Sequence, residues 1–226
     1  MIYIIPTGGL CNYLRVVFSY NAYAKSVRKQ LTVIWLISHA CNGFFLDYFE
    51  KVPNIHFVKK IPPWVKIKYK GYSPCSKTAY TFDELIPLPT IKQTINTKLH
   101  CLQHNYIAIH VRRTDHIRYL SHKKQTMTSD ETFMEFINNN SKDCNLYIAT
   151  DNAETFNTYK SKYNDIVKTQ SSIYNPNYLR QTPLEDAIVD LFMCVLANKF
   201  KGSNRSSFSD QIDTMRKEKN RAKLFV

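Results

Sequence analysis

The residues richest in chemistry lie together at His110-Val111-Arg112-Arg113-Thr114-Asp115-His116. They follow the apolar run Tyr106 to Val111, so imidazoles, guanidiniums and a carboxylate cluster at the carboxyl end of a strand, where open α/β sheets bind ligands. Arginine offers a rigid fork of donors matched to phosphate oxygens, with no metal needed. The structural alternative is a surface loop of a basic protein in which Arg113 and Asp115 pair for stability. A second cluster, Gly8-Gly9-Leu10-Cys11-Asn12, lies between an apolar run and a helix-period segment. Glycines there let the backbone approach a ligand, and the helix that follows presents N–H groups to an anion. A tight turn without a ligand fits equally well, and no Lys-Ser/Thr follows at P-loop spacing. The third set is Thr150-Asp151 after another apolar run, Asp190 within an apolar helix pattern, and Ser206-Ser207-Phe208-Ser209 ahead of the last helix. Singly, Asp151 reads as a helix cap, Asp190 as a satisfied buried group and Ser206 as an N-cap. Together they would set acceptors and small donors around one crevice, as a nucleotide's base, ribose and pyrophosphate require.

The elements that must position these groups alternate. Met1 to Pro6 reads as a strand, Asn12 to Lys29 as a helix and the β-branched run Leu31 to Ile37 as a strand buried on both faces. A short helix over Phe44 to Phe49 and a strand over His56 to Val58 follow, then an irregular Pro-, Lys- and Tyr-bearing stretch, Ile61 to Pro89. The pattern restarts with strands at Tyr106 to Val111, Leu146 to Ala149, Asp165 to Lys168 and Asn198 to Lys201. Between and after them come helices at Phe133 to Ile137, Ala153 to Tyr163, Ala187 to Val195 and Ser206 to Met215. The first of these follows a capping box at Thr128 to Glu131, and the third one at Thr182 to Glu185 with Pro183 at the first helical position. Alternation of this kind means α/β layers with a mostly parallel sheet in each half. The domains expected are residues 1–98 and 99–226.

Composition bounds the function. At 226 residues, 44% hydrophobic and 22% charged, the chain is an ordinary soluble globular protein and excludes disorder, collagen and coiled coil. Thirty-one Lys and Arg against eighteen Asp and Glu leave +13, which implies an anionic partner: nucleic acid, a phosphate-bearing ligand or an acidic membrane surface. Six cysteines stand without C-x-x-C spacing, so neither a zinc site nor a disulfide framework is expected, and a reducing compartment is. Met1 to Pro6 is too short for a signal peptide core, and no apolar run spans a bilayer, so a cytoplasmic location is expected.

His110-Val-Arg-Arg-Thr-Asp115 resembles the H-x-R-R-x-D motif of the α1,6-, α1,2- and protein-O-fucosyltransferase superfamily, nearest the α1,6 and NodZ-like branch. Tyr147-Ile-Ala-Thr-Asp151, Asp190 and Ser206-Ser-Phe-Ser209 follow in the family's order, and Gly8-Gly-Leu-Cys-Asn12 resembles its N-terminal glycine loop. The resemblance implies a compact GT-B architecture, two Rossmann-like domains with a GDP-sugar cleft between them, the C-terminal one binding the nucleotide. It implies that Arg112 grips the β-phosphate, with Gly8, Gly9, Cys11, Asn12, Ser206, Ser207 and Phe208 also at the donor. His110 and Asp190 would read the guanine, and Asp151 belongs to the same set. The reaction implied is inverting transfer of fucose from GDP-fucose to a carbohydrate acceptor, with no cofactor.

The chemistry agrees. A nucleoside diphosphate leaving an oxocarbenium-like centre needs positive charge aimed at it. No D-x-D occurs among the eleven aspartates, so arginine takes the place of a metal. The chain departs from the α1,6 branch where that branch has a Lys after the motif Asp and, four residues on, a Glu credited with base catalysis; here stand His116 and Leu120. Asp115 and His116 are then the candidate bases, beside Arg112 as the catalytic cation. A related GDP-sugar donor, and a non-catalytic basic protein binding RNA or phosphate on this fold, are the alternatives; no RNA-binding module is recognisable and no nucleic acid is expected.

Overall fold

A computed structural model of the chain describes residues 1–168, 174–175 and 181–218. They form two compact units, one of Met1–Pro89 joined by Glu218, the other of Thr90–Lys217. The division precedes residue 98 because the helix over Pro89–Cys101 belongs almost whole to the second unit.

In the first unit, β1 (Ile2–Pro6), α1 (Leu10–Ser26), β2 (Leu31–Ile34), β3 (Ile55–Val58) and β4 (Tyr69–Gly71) build a parallel sheet in the order β3-β2-β1-β4. Strand β2 has neighbours on both sides and all four of its residues are buried, which is why its sequence is continuous rather than alternating. After it the fully buried Trp35 anchors an aromatic cluster. Its indole N–H donates to the Gly43 carbonyl at 2.8 Å, and Phe45 stacks on Phe57 with ring centres 4.2 Å apart. Pairs of this kind contribute about 0.5–1.5 kcal/mol beyond the area they bury.

The second unit runs α2 (Pro89–Cys101), β5 (Tyr106–Val111), α3 (Thr114–His122), α4 (Asp130–Asn140), β6 (Asn145–Thr150), α5 (Ala153–Lys162), α6 (Leu184–Leu196), β7 (Lys199–Gly202) and α7 (Ser207–Arg216). Its three strands are parallel in the order β6-β5-β7, with Ala108 opposite Tyr147 and His110 opposite Ala149. Side chains alternate across a strand. Ile107, Ile109, Val111, Leu146 and Ile148 therefore face one way, into a core with Phe133, Ile137, Phe156 and Tyr159 of α4 and α5. Tyr106, His110 and Tyr147 face the other way, toward α6 and α7, where the Tyr106 hydroxyl donates to the Met193 carbonyl at 2.7 Å.

Several local expectations are corrected. Phe44 to Phe49 holds only a 3-10 turn, Phe45–Asp47. Asp165 to Lys168 is a turn and an extended end, not a strand: only the Ile166 carbonyl bonds to β6, at Leu146 N–H. Helix α4 is capped by Ser129, not Thr128, whose hydroxyl instead accepts the Asn204 N–H at 2.8 Å. Pro183, at ψ 161°, precedes α6 as its cap residue without a side-chain bond, so Thr182 closes no capping box there. Strand β4 and helices α2 and α3 were not expected.

The carboxyl end of α6 is closed from outside. Arg216, in the last turn of α7, donates through Nη1 to the carbonyls of Cys194, Val195 and Ala197 at 3.0, 3.0 and 2.6 Å, and through Nη2 to Asn198 at 3.2 Å. The last carbonyls of a helix have no partner within it, and a cation there also opposes the helix dipole. Arg216→Ala is therefore expected to cost roughly 2–3 kcal/mol in urea unfolding, with Arg216→Lys recovering less than half of it. An unchanged midpoint for Arg216→Ala would show that water serves these carbonyls equally well.

Candidate active site

Three strand ends meet the motif in the second unit. Register places Val111 beside Thr150 on β6, and the ladder to β7 continues past Gly202 with Ser203 N–H donating to the His110 carbonyl at 3.0 Å. The Ser203 hydroxyl also donates to that carbonyl at 3.1 Å while accepting the Arg112 N–H at 2.9 Å, which pins the exit of β5. Gly202 lets Ser209 of α7 lie close to β7: a Cβ there would lie 2.5 Å from both Cβ and Oγ of Ser209.

The two arginines part company. Arg113 is buried. Its Nη1 donates to the Thr128 carbonyl at 3.2 Å and its Nη2 to the Asp130 carboxylate, which also accepts the Tyr159 hydroxyl at 2.8 Å. The Arg113 backbone N–H donates to Asp151 Oδ1 at 2.9 Å, and the Thr114 hydroxyl donates to Asp151 Oδ2. Asp151 thereby closes the start of α3 from the end of β6. Arg112 instead holds Asp115 one turn along, with Nη2 at 2.8 and 2.9 Å from the two carboxylate oxygens. Their side chains are 15% and 29% exposed, so this pair can be reached from solvent.

His116 is buried, with Nε2 2.9 Å from the Asn204 carbonyl. A carbonyl only accepts, so Nε2 carries the proton and donates. Burial lowers its pKa, with Arg112 adding to the effect against the opposing pull of the Asn204 bond, Asp115 and Asp151. Its ring stitches α3 to the Ser203-Asn204 turn. Leu120, where the α1,6 branch would carry its Glu, is buried.

On the opposite sheet face, His110 Nδ1 lies 2.8 Å from Ser209 Oγ and its ring is 4.6 Å from that of Phe208. Ser206 caps α7 by accepting the Ser209 N–H, and Ser207 is the first helical residue. Asp190 shares the His110 face of the sheet, where it accepts the Tyr147 hydroxyl at 2.6 Å. The structure thus joins Arg112, Asp115, His116, Arg113 and Asp151 in one group, and His110, Phe208, Ser206 and Ser207 in a neighbouring one.

The expected donor residues of the glycine turn belong to the first unit. Gly8 has φ +93°, and a Cβ on it would meet the Asn12 side chain at 2.5 Å, so both conformation and space require glycine. Gly9 precedes α1 as its cap residue without a side chain to offer, and Cys11 is buried. Asn12 accepts from Arg15, whose Nε also donates to the Tyr72 carbonyl at 3.2 Å. Arg15, one helical turn after Asn12, braces this turn. Thr128, Asp130, Ser203 and Asn204 brace the motif through contacts made in space, which the sequence does not display. Among the described residues no three His, Cys, Asp or Glu side chains group to hold a metal, and no helix is long and apolar enough to cross a membrane.

The sequence model of the family described as GDP-fucose protein O-fucosyltransferase matches residues 85–219, from ahead of α2 to past α7. The chain belongs to that family. It is therefore a glycosyltransferase of the fucosyltransferase class. No curated protein sequence matches it. Among solved structures, NodZ α1,6-fucosyltransferase soaked with GDP-fucose aligns at a TM-score of 0.61 and 12% identity, over 95% of this chain and 92% of that one. POFUT1 in complex with GDP aligns at 0.60 and 13% identity, over 95% and 94%. The fucosyltransferase NodZ from Bradyrhizobium aligns at 0.59 and 11% identity, over 93% and 91%. At these identities the likeness establishes the fold, α/β and GT-B-like with Rossmann-like units, and both branches of the fucosyltransferase superfamily share it.

One member of the site carries a pH signature. Burial pushes the Asp190 carboxyl up to about 7, against the bond from Tyr147 and the charge of Lys98. A carboxyl raised in the folded state adds stability that is whole below its unfolded value near 4 and is lost as pH rises through about 7. Asp190→Asn keeps an acceptor for Tyr147 and removes the titration. Between pH 4 and 7 the wild type should lose on the order of 2–4 kcal/mol relative to this variant in denaturant titrations. Parallel profiles would contradict the raised value.

Proposed function

We propose that this fucosyltransferase-family enzyme is inverting and metal-independent, moving fucose from GDP-fucose to a hydroxyl of a glycan or other acceptor. The observation that carries the reading is the division of labour between adjacent arginines. Arg113 is buried and tied to two places, Asp130 and the Thr128 carbonyl, whereas the Arg112 guanidinium is held by one carboxylate of its own turn, in a pair whose side chains are 15% and 29% exposed. Arg112 can exchange its one side-chain partner for a diphosphate while Arg113 keeps its bonds to Asp130 and the Thr128 carbonyl.

In this mechanism the β-phosphate takes the place of Asp115 on Arg112. The acceptor oxygen attacks C1 of fucose, and the C1–O bond to the β-phosphate breaks. GDP leaves with the electron pair, its growing charge met by the guanidinium. Asp115, released from Arg112, takes the acceptor's proton. His116 acts as a positioning residue, since its protonated nitrogen is committed to Asn204. The tilted pair His110 and Phe208 forms one wall for the guanine, with Asp190 as the acceptor for the base's N–H groups once Tyr147 yields. Ser206 and Ser207 direct the N-terminus of α7 at the phosphates, and Asp151 holds the motif in place. A related GDP-sugar would use the same groups.

GDP and GDP-fucose are expected to raise the melting temperature where UDP- and CMP-sugars do not, and turnover should persist in excess EDTA. Arg112→Lys keeps the charge but loses the fork, and should lower turnover by about 10²-fold or more; Arg113→Lys should chiefly lower stability, by roughly 1–3 kcal/mol. Equal stabilisation by UDP, activity restored by manganese after EDTA, or a nearly silent Arg112→Lys would each overturn this reading.

A further inference from the structure

Donor binding leaves most of the +13 charge unexplained, and one stretch concentrates it. Residues 51–82 contain seven lysines, no arginine and no carboxylate. Five of those lysines, Lys59, Lys60, Lys66, Lys68 and Lys70, lie on or beside the connection from edge strand β3 to edge strand β4, and all five are exposed. Midway along it the chain makes a tight turn in which Val65 N–H donates to the Pro62 carbonyl at 3.2 Å, with Pro63 and Trp64 at its corner. Proline presets the first corner of such a turn. The turn displays Trp64 at 82% exposure, and Ile61, three residues before it, at 49%. Trp35, by contrast, is fully buried.

We infer that this turn docks the protein peripherally onto a membrane surface of anionic phospholipid headgroups. A large amphipathic ring and a half-exposed aliphatic side chain at a turn fit the interfacial zone of a bilayer, where tryptophan concentrates. Lysines ringing an apolar tip are drawn to the negative potential of that surface. The composition favours lipid over nucleic acid. The charges are ammonium groups with no arginine fork among them, and Ile61 has no use in stacking a base.

The protein carries its own reporter, since Trp64 is exposed and Trp35, the second of its two tryptophans, is buried. Adding vesicles of phosphatidylcholine with about 30% phosphatidylserine at low salt should shift the emission to the blue and bring the full-length protein down with the vesicles. About 0.5 M NaCl should release it, and pure phosphatidylcholine vesicles should bind at least about tenfold more weakly. Trp64→Ala should abolish the shift and weaken sedimentation. Lys66→Gln combined with Lys68→Gln and Lys70→Gln should weaken sedimentation while preserving the melting temperature. Sedimentation that ignores phosphatidylserine, or an emission unmoved by vesicles, overturns the inference. A single-stranded oligonucleotide that quenches Trp64 while vesicles leave it unchanged would also overturn it and make the turn a nucleic-acid contact.

Discussion

Two arginines side by side just past the end of β5 take different partners, and the tertiary structure sets them in two different chemical states. Arg113 enters the polar rim between α4 and α5, where Asp130, the Thr128 carbonyl and, through its backbone, Asp151 engage it. Around this buried guanidinium the start of α3, the start of α4 and the end of β6 are tied to one another. Losing Asp130 would leave the mostly buried Arg113 guanidinium without its carboxylate, so this pair helps to hold the turn. Arg112 stands on that frame.

The consequence reaches the neighbouring residues. Because Asp151 begins α3, Asp115 falls in the first turn of that helix, within reach of Arg112 at a spacing of three residues. Because α3 is a helix rather than an open loop, His116 turns inward and bonds the Asn204 carbonyl instead of facing solvent. One nitrogen of the imidazole expected to compete as a base is engaged by a backbone carbonyl, and the carboxylate paired with Arg112 is the one proposed as the base. Leu120 completes the change from the α1,6 pattern: its side chain is spent on packing.

How much of this the sequence disclosed follows from where each signal originates. Strand β5 was legible to the residue because six consecutive apolar-weighted positions are buried on both faces, and the helix over Ser207–Arg216 because its capping serine is local. Helix α3 was not, since its cap is a carboxylate from β6, distant in sequence and adjacent only in space. Helix α2 carries a local signal, Pro89 in its first position and Ile91, Ile95 and Leu99 at steps of four, but it directly follows an irregular Pro- and Tyr-bearing stretch that masks its start. Asp165 to Lys168 misled in the other direction: a β-branched pair between charges reads as a strand, but the ladder beside β6 does not form. The chemical types at the site were readable from the motif; which arginine is buried and which imidazole is committed depended on partners from Thr128, Asp130 and Asn204.

The central claim is that Arg112 exchanges Asp115 for the diphosphate of the donor. Calorimetric titration of GDP into wild type and Asp115→Asn tests it most directly, because Asp115 competes with the ligand for the guanidinium. The account predicts that Asp115→Asn binds GDP more tightly than wild type, by several-fold to about tenfold, while losing turnover. Weaker GDP binding by Asp115→Asn, or binding indifferent to it, would contradict the exchange and return the phosphate site to other residues.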